Sequence, residues 1–300
     1  MDKTGAVMSS GIREQFDHFR SYLFPYAYNI IGDVMEAEDI VQTLLNQYFL
    51  EDRQHVENPS AYLVRSVINR SINEKKALRR QLETYPGKWL PTPVLTEELI
   101  YSNADREKIL NYSLLVLLDQ LGAKERAVFI LKETFDVPHD EIAAILNIDQ
   151  VHSRQLLKRS KEKISTKLRK PNIGREQETL LNQLVHAITT ADVEATKRLL
   201  AEDVLSISDG GPSRGAARKT LEGFDRVFKF LKAIFGKYFP EGTSTTYCYV
   251  NHSPALVFKK DNEVFRCMIF EIEDGMVKDI FIVVNPDKLL TISSNLVNRD

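Results

Sequence analysis

The sequence predicts an all-α N-terminal part joined to an α+β C-terminal domain, and three observations predict it. Apolar residues recur at helical spacing from residue 12 to about 80 and again over 107–136. Strand-like runs follow one another beyond Thr243, with turn signals at Asp261-Asn262 and Asp274-Gly275. Prolines and glycines crowd residues 85–104, which is typical of a linker between folded parts.

The composition is that of an ordinary globular protein, with 43% hydrophobic and 27% charged residues. The apolar runs are too short to cross a bilayer, and the first residues lack the apolar region of a signal peptide. The two cysteines, Cys248 and Cys267, are predicted to be buried reduced thiols of a cytoplasmic protein. No metal-ligand spacing is visible, so we expect no metal and no cofactor.

The first helical part divides into three predicted helices. Aromatic and aliphatic residues mark the first helix, in which Pro25 is expected to cause a bend or an end. Gly32-Asp33 predicts a break, and Ala37–Leu50 predicts a second amphipathic helix. A polar loop over residues 51–59 precedes a third helix from Ser60 to about Gln81.

The stretch EIAAILNIDQVHSRQLLKRSKEKI (141–164) predicts a helix-turn-helix. Asn147 occupies the turn position that needs a positive φ, and Asp149 is placed to cap the second helix. Ala143 takes the tight-packing position between the two helices. The inner face of the second helix is expected to hold Ser153, Leu157, Ser160 and Ile164. An apolar back and an outer face of Lys, Arg and amides are what a helix in the major groove needs.

Charge is concentrated in two basic regions of an otherwise acidic chain. Residues 65–90 carry a net +5 and residues 124–170 a net +4, whereas residues 1–64 carry a net −6. Two separated regions of one sign suggest two contacts with one polyanion such as DNA. Taken singly, each region is also compatible with a solvated basic helix face, and Ser153 stands where an apolar residue is more usual.

Three segments together resemble regions 2 and 4 of the sigma-70 family, in order and spacing. They are GDVMEAEDIVQTLLNQYF (32–49), NPSAYLVRSVINRSINEKK (58–76) and LGAKERAVFILKETFDVPHDEIAAILNIDQVHSRQLLKRSKEKI (121–164). The likeness is greatest to the extracytoplasmic-function subfamily, which keeps only these two regions. It implies a protein that binds core RNA polymerase through the β′ clamp helices and the β flap, and that binds the −10 and −35 elements of a promoter.

The resemblance assigns roles to residues of both regions. The implied polymerase contacts are Asp33, Glu38, Asp39 and Gln42. The expected −10 contacts are Arg53, His55, Asn58, Arg65, Asn69, Arg70, Asn73 and Lys76. The expected −35 contacts are His152, Ser153, Arg154, Gln155, Lys158 and Arg159.

Residues 176–290 resemble the SnoaL-like branch of the nuclear-transport-factor-like fold, a curved sheet wrapped by helices into a cone. A subgroup of these sigma factors, the SigJ-like ones, has such an extension, and three short motifs support membership. WLPTPV (89–94), with Thr92 in place of Glu, and SDGGP (208–212), with Pro212 in place of Gly, are similar to motifs of that subgroup, and NPDKL (285–289) matches intact. The residues expected to regulate through contact between linker and C-terminal domain are Trp89, Leu90, Pro91, Asp209, Gly210, Gly211, Asn285, Pro286, Asp287, Lys288 and Leu289.

The resemblance thus predicts region 2 at 1–84, a linker at 85–106, region 4 at 107–170 and a SnoaL-like regulatory domain at 176–291. The predicted function is promoter-specific initiation of transcription, regulated in cis by the C-terminal domain. The alternative is a ligand-binding regulator or SnoaL-type enzyme with a DNA-tethering N-terminal part. Asp203, Asp209 and His252 are the acid/base candidates for that alternative. We expect no enzyme, and a small-molecule ligand in the C-terminal domain stays open.

Overall fold

The computed structural model describes residues 10–50, 56–96, 107–164, 175–211, 216–237 and 241–296. The chain forms two compact units. Among described residues, the first unit holds 10–80, 107–109 and 118–164, and the second holds 81–96, 110–117 and 175–296. None of the described helices is both long and apolar enough to span a membrane.

The first unit is all-helical, as predicted. Its helices are α1 (Ser10–Ile31), α2 (Val34–Leu50), α3 (Pro59–Gln81), α5 (Ala123–Glu133), α6 (His139–Leu146) and α7 (Gln150–Ile164). Helix α1 continues through Pro25, so the expectation that this proline could end the helix is wrong. The break at Gly32-Asp33 is confirmed: Gly32 has a φ of 82°, and Asp33 Oδ1 accepts a hydrogen bond from the Glu36 N–H at the start of α2.

The helix-turn-helix is formed by α6 and α7. Asn147 adopts the left-handed conformation, with φ 50° and ψ 58°, and ends α6. Asp149 caps α7, because its Oδ1 accepts a hydrogen bond from the His152 N–H at 2.7 Å. The buried face of α7 consists of Ser153, Leu156, Ser160 and Ile164. Leu156 therefore takes the place predicted for Leu157, which is only half-buried.

The second unit is an α+β domain whose helices pack on a six-stranded sheet. The strands are β1 (Leu200–Asp209), β2 (Leu221–Glu222), β3 (Ser244–Val250), β4 (Ser253–Lys260), β5 (Glu263–Glu273) and β6 (Met276–Val283), in the order β2-β1-β6-β5-β4-β3. The helices are α4 (Tyr112–Leu118, mostly in this unit), α8 (Arg175–Thr189), α9 (Val193–Leu199), α10 (Phe224–Lys237) and α11 (Pro286–Leu296). The antiparallel run β3 to β6 was predicted, whereas β1, which pairs parallel to β6, was not.

The sheet has an apolar core on each face. Alternate residues such as Leu256, Met268 and Ile280 pack on one face with α8 and α10, and this surface is called the concave face below. The opposite set, which includes Val257, Cys267 and Phe281, packs with Leu90, Tyr112 and Leu289. Both cysteines are free thiols in this second core, and burial raises the pKa of Cys267.

The compact units do not coincide with the predicted domain limits. The second unit includes residues 85–96 of the predicted linker, residues 81–84 from the end of predicted region 2, and residues 110–117 of predicted region 4. Leu90 is fully buried, and Leu95 forms a β-bridge to Val250 beside the sheet edge. Apolar residues among the prolines allow this segment to pack instead of remaining solvated.

Candidate nucleic-acid interface and linker clamp

The outer face of α7 presents the polar residues expected at the −35 element. Arg154, Gln155, Lys158 and Arg159 are exposed, and His152 is half-buried. Lys158 lies 3.8 Å from Glu162, and both side chains face solvent. Cations and an amide thus line one side of a helix whose other side is buried in the first unit, which is the arrangement that docks a helix in a groove.

Ser153 is a correction to the predicted DNA contacts. Its side chain is completely buried, and its Oγ lies 2.8 Å from Nδ1 of His139 at the start of α6. Burial, followed by Arg154 and Lys132, lowers the pKa of His139 and favours the neutral ring. Ser153 therefore joins the two helices of the motif and does not lie on the exposed basic face.

Helix α3 presents the second basic face. Arg65, Asn73 and Lys76 are exposed, whereas Asn69 and Arg70 are half-buried. Arg70 donates to Oε1 of Gln47 at 2.6 Å, and Asn58 caps the helix by accepting from the Ala61 N–H. The remaining predicted −10 residues, Arg53 and His55, lie outside the described residues.

Asn69 is engaged by the helix-turn-helix. Its Nδ2 donates to the carbonyl of Ile145 in α6 at 2.9 Å, and also to Arg65 O. Beside this contact runs a groove of about 660 Å³ lined by Tyr22, Tyr26, Asn58, Arg65, Phe135 and Glu141, among others. The rings of Tyr26 and Phe135 stack with centroids 3.7 Å apart. Residues 138–146 thus cover part of the α3 face.

A buried charge cluster ties α1, α3 and α5 together, and sequence reasoning missed it. Asp119 Oδ1 accepts from Lys75 Nζ at 2.6 Å and from Arg126 Nη1 at 3.3 Å. Lys75 also donates to Ile31 O, and Arg126 Nε donates to Asn29 O. Burial would raise the pKa of Asp119, but the two cations lower it below its usual range. Burial lowers the pKa of Arg126 to about 10.

Helix α2 holds the predicted polymerase contacts. Asp39 and Gln42 are exposed, Glu38 pairs with Arg20 at 2.8 Å, and Asp33 caps the helix. Met35, one turn before Asp39, is 62% exposed. Partial burial, followed by Glu74, Asp33 and Asp39, raises the pKa of Glu36. This face combines an exposed apolar residue with acids that repel one another.

Three sequence motifs converge in the second unit on the carboxylate of Asp209. Oδ1 accepts from the Tyr85 hydroxyl at 2.5 Å and from the Gly211 N–H at 3.0 Å. Oδ2 accepts from the Leu90 N–H at 2.8 Å and from Lys288 Nζ at 2.7 Å. We call this group of residues, Tyr85, Leu90, Asp209, Gly211 and Lys288, the linker clamp.

Lys288 completes the clamp on the linker side. Its Nζ also donates to the Leu90 carbonyl and lies 4.1 Å from the ring centroid of Trp89. The carbonyl of Pro91 accepts from the Tyr112 hydroxyl at 2.7 Å. The cation therefore binds a carboxylate, a carbonyl and an aromatic face at once, which compensates for its burial.

The remaining motif residues shape the clamp. Gly211 has a φ of +55°, and a Cβ there would lie 2.8 Å from the amide of Asn285. Asn285 donates to the Tyr85 hydroxyl and accepts from the Asp287 N–H at the start of α11. Gly210 and Leu289 are buried, whereas Pro286 and Asp287 are exposed on the first turn of that helix.

Tyr85 was given no role from the sequence. Burial and the hydrogen bond to Asp209 raise the pKa of the Tyr85 hydroxyl.

The acid/base candidates do not form one site. Asp209 is bonded within the clamp, and exposed Asp203 lies 3.5 Å from Lys278. His252 lies in the turn between β3 and β4, and its backbone N–H donates to Thr96 Oγ1. Within the ranges that the structure describes, no group of three or more His, Cys, Asp or Glu residues is arranged to hold a metal.

The fold defines the chain as a helix-turn-helix protein with an α+β cone domain. Residues 112–164 match the family model "Sigma-70, region 4". The chain is 27% identical to the ECF RNA polymerase sigma factor SigJ of Mycobacterium tuberculosis over 233 residues, which is 75% of this chain and 74% of SigJ. It is 25% identical to a probable ECF RNA polymerase sigma factor, SigI, of the same species over 278 residues, which is 90% and 92% of the two chains.

The crystal structure of M. tuberculosis SigJ has the same fold. It superposes with a TM-score of 0.71 at 24% identity and covers 93% of this chain and 98% of that one. The predicted sigma-70 region 4 domain, the likeness to extracytoplasmic-function sigma factors and the predicted fold class are thereby confirmed.

Proposed function

We propose that this chain is a cytoplasmic sigma-type initiation factor that directs core RNA polymerase to a promoter and is regulated in cis by its C-terminal domain. The observation that supports this most is the exposed basic face of α7 on a capped helix-turn-helix that matches sigma-70 region 4. The relatives named as RNA polymerase sigma factors supply the partner class, and Arg154 and Gln155 supply the groups that read base edges.

The α2 face is the proposed polymerase surface. Asp39, Gln42 and Met35 are exposed side by side at helical spacing. A basic partner would relieve the repulsion that raises the pKa of Glu36, and an apolar partner side chain would cover Met35. A cationic partner surface with an apolar centre would fit both features.

The first unit is proposed to be in a closed state. Helices α3 and α6 are in direct contact, since Asn69 donates to Ile145 O. Promoter elements two helical turns apart are separated by about 70 Å. Two modules that touch cannot reach both elements, so promoter binding requires α3 and α6 to separate and Asn69 to be released.

The linker clamp is proposed to control this opening through tether length. Residues 81–96 and 110–117 lie between α3 and α5 in the chain and are folded into the second unit. While they are held there, less chain is free to let the two DNA-binding modules move apart. Release of the clamp would lengthen the tether and favour the promoter-bound form.

Binding to core polymerase discriminates this function from a ligand-binding regulator with a DNA tether. The full chain is expected to be retained by immobilised core polymerase, and the double variant Asp39→Ala/Gln42→Ala is expected to bind about tenfold or more weakly. Glu83→Ala, at an exposed acid outside this face, is the matched control. A full chain that core polymerase does not retain would contradict the proposal.

A further inference from the structure

Arg266 lies buried on the concave face of the C-terminal sheet. Its relative exposure is 7%. The pairing of β4 and β5 shifts register between Phe258 and Lys259, which leaves Phe265 as an extra residue in β5. A bulge of this kind re-aims side chains. The guanidinium lies 5.9 Å from the ring centroid of Phe258 and 5.5 Å from that of Phe265.

The described residues leave part of this guanidinium without a hydrogen-bond acceptor. Its Nε and Nη1 atoms are buried, and among the described residues no atom accepts a hydrogen bond from either. Two aromatic faces do not replace the hydration of a cation and its N–H donors, so this burial costs free energy. Burial lowers the pKa of Arg266. An arginine in this state is placed to bind an anion from outside the chain.

Two hydroxyl groups share the concave face and are also unsatisfied within the described structure. Ser206 and Ser208 of β1 pair with Ile280 and Ile282 of β6, which belong to the concave core. Both side chains are at most 2% exposed, and neither Oγ has a hydrogen-bond partner. Arg266 lies two strands from β1 and two residues along β5 from Met268, which is in register with Ile282 and Ser208, so about 12 Å separates its Cα from that of Ser208.

The surface between these polar groups is apolar. It is formed by Leu256, Phe258, Met268, Phe270, Ile280 and Ile282. Helix α10 covers part of it, and Phe235 of that helix lies 6.0 Å from Phe258. Because the face is filled in this structure, entry of a molecule requires α10 to move, as in a pocket that forms only when a ligand stabilises it.

We propose that the concave face binds an elongated apolar carboxylate, with the carboxylate on Arg266 and the apolar body on the surface that lies between Arg266 and the two serines. A carboxylate matches the fork of a guanidinium, and an apolar body matches the face between the two polar ends. This site is separate from the linker clamp, and the inference does not depend on the proposed role in transcription.

The test uses decanoate as the probe and the full chain. Decanoate is expected to raise the thermal midpoint of the wild-type chain, whereas decanol, which has the same length without the charge, is expected to have little effect. In Arg266→Met, binding of decanoate by calorimetry should be about tenfold to hundredfold weaker, as expected for loss of a charge-assisted pair. Arg226→Met, at an exposed arginine of α10, is the matched control and should bind as wild type does.

A structural role for Arg266 predicts different results. If the guanidinium stabilises the fold, Arg266→Met unfolds at lower urea concentration without ligand; the proposal expects an unchanged or higher midpoint, because a buried unpaired cation is removed. Hydrogen exchange of α10 in the wild type should change with decanoate. Absence of decanoate binding, equal binding of decanol, or lowered ligand-free stability of Arg266→Met would each overturn the proposal.

Discussion

The carboxylate of Asp209 and the ammonium of Lys288 lie 2.7 Å apart in the second unit, with side-chain exposures of 0% and 6%. Asp209 ends the first strand of the sheet and Lys288 lies in the last helix, and the linker backbone at Leu90 bonds to both. A buried ion pair that also holds a third chain segment makes the linker part of the domain fold.

Asp209→Asn is expected to lower the stability of the second unit by about 3–5 kcal/mol, because Lys288 would remain buried without its counter-charge. Urea unfolding of the full chain, followed by fluorescence of Trp89, measures this. Asp203→Asn is the control: its partner Lys278 lies 3.5 Å away and Asp203 is 76% exposed, so we expect a change of about 0–1 kcal/mol. Equal losses in the two variants would contradict a special role for the clamp.

Gly211→Ala should loosen the same clamp through the backbone. The positive φ and the approach of Cβ to Asn285 predict a loss of about 1–3 kcal/mol. Gly236→Ala in α10 provides the opposite case, since nothing lies within 4 Å of its Cβ and helix propensity predicts a gain of about 0.5–1 kcal/mol. Both values come from denaturant midpoints, and a neutral Gly211→Ala would show that this turn is not constrained.

The first unit should lose stability in acid. Lys75 and Arg126 hold the pKa of Asp119 below its unfolded value of about 3.9, so its contribution is present above pH 4 and is lost as the pH falls through the folded pKa. Asp119→Asn should remove this pH dependence and destabilise the unit at neutral pH, since both cations stay buried. The test measures the free energy of unfolding of both proteins from pH 7 to pH 3. A wild-type free energy that falls no more than that of the variant over this range would contradict the prediction.

Arg154→Ala and Ser153→Ala should separate DNA contact from packing in α7. Loss of Arg154 is expected to weaken promoter binding about tenfold or more. Ser153→Ala should keep promoter affinity and lower stability by about 1 kcal/mol. The Ser153 side chain is buried away from the exposed basic face, and its Oγ bonds to His139 of α6. Fluorescence anisotropy with promoter duplex and thermal unfolding measure the two effects, and reduced affinity in Ser153→Ala would restore it as a DNA contact.

The sequence was informative where local chemistry decides the structure. Asn147 and Asp149 predicted the turn and cap of the helix-turn-helix, and alternating residues predicted β3 to β6. Strand β1 was missed because Leu200–Asp209 has two acids at its start and pairs with a strand about 75 residues later, which no local pattern reveals.

Contacts between distant segments also escaped prediction in the sites. Tyr85 and Asp209 are 124 positions apart, and Lys75 and Asp119 are 44 apart, so their pairing depends on packing alone. Ser153 was given both an inner and a DNA-facing position, and only the packing of His139 against it decides between them. Motif resemblance selected the clamp residues except Tyr85, without indicating that they surround one carboxylate.

Runoff transcription with purified core polymerase tests the central claim most directly. We expect the full chain to start transcription at defined sites, Arg154→Ala to reduce this output about tenfold or more, and Asp209→Asn to raise it about fivefold or more relative to Asp203→Asn by releasing the tether. Core polymerase that starts at no defined site with the wild-type chain or with Asp209→Asn would contradict it.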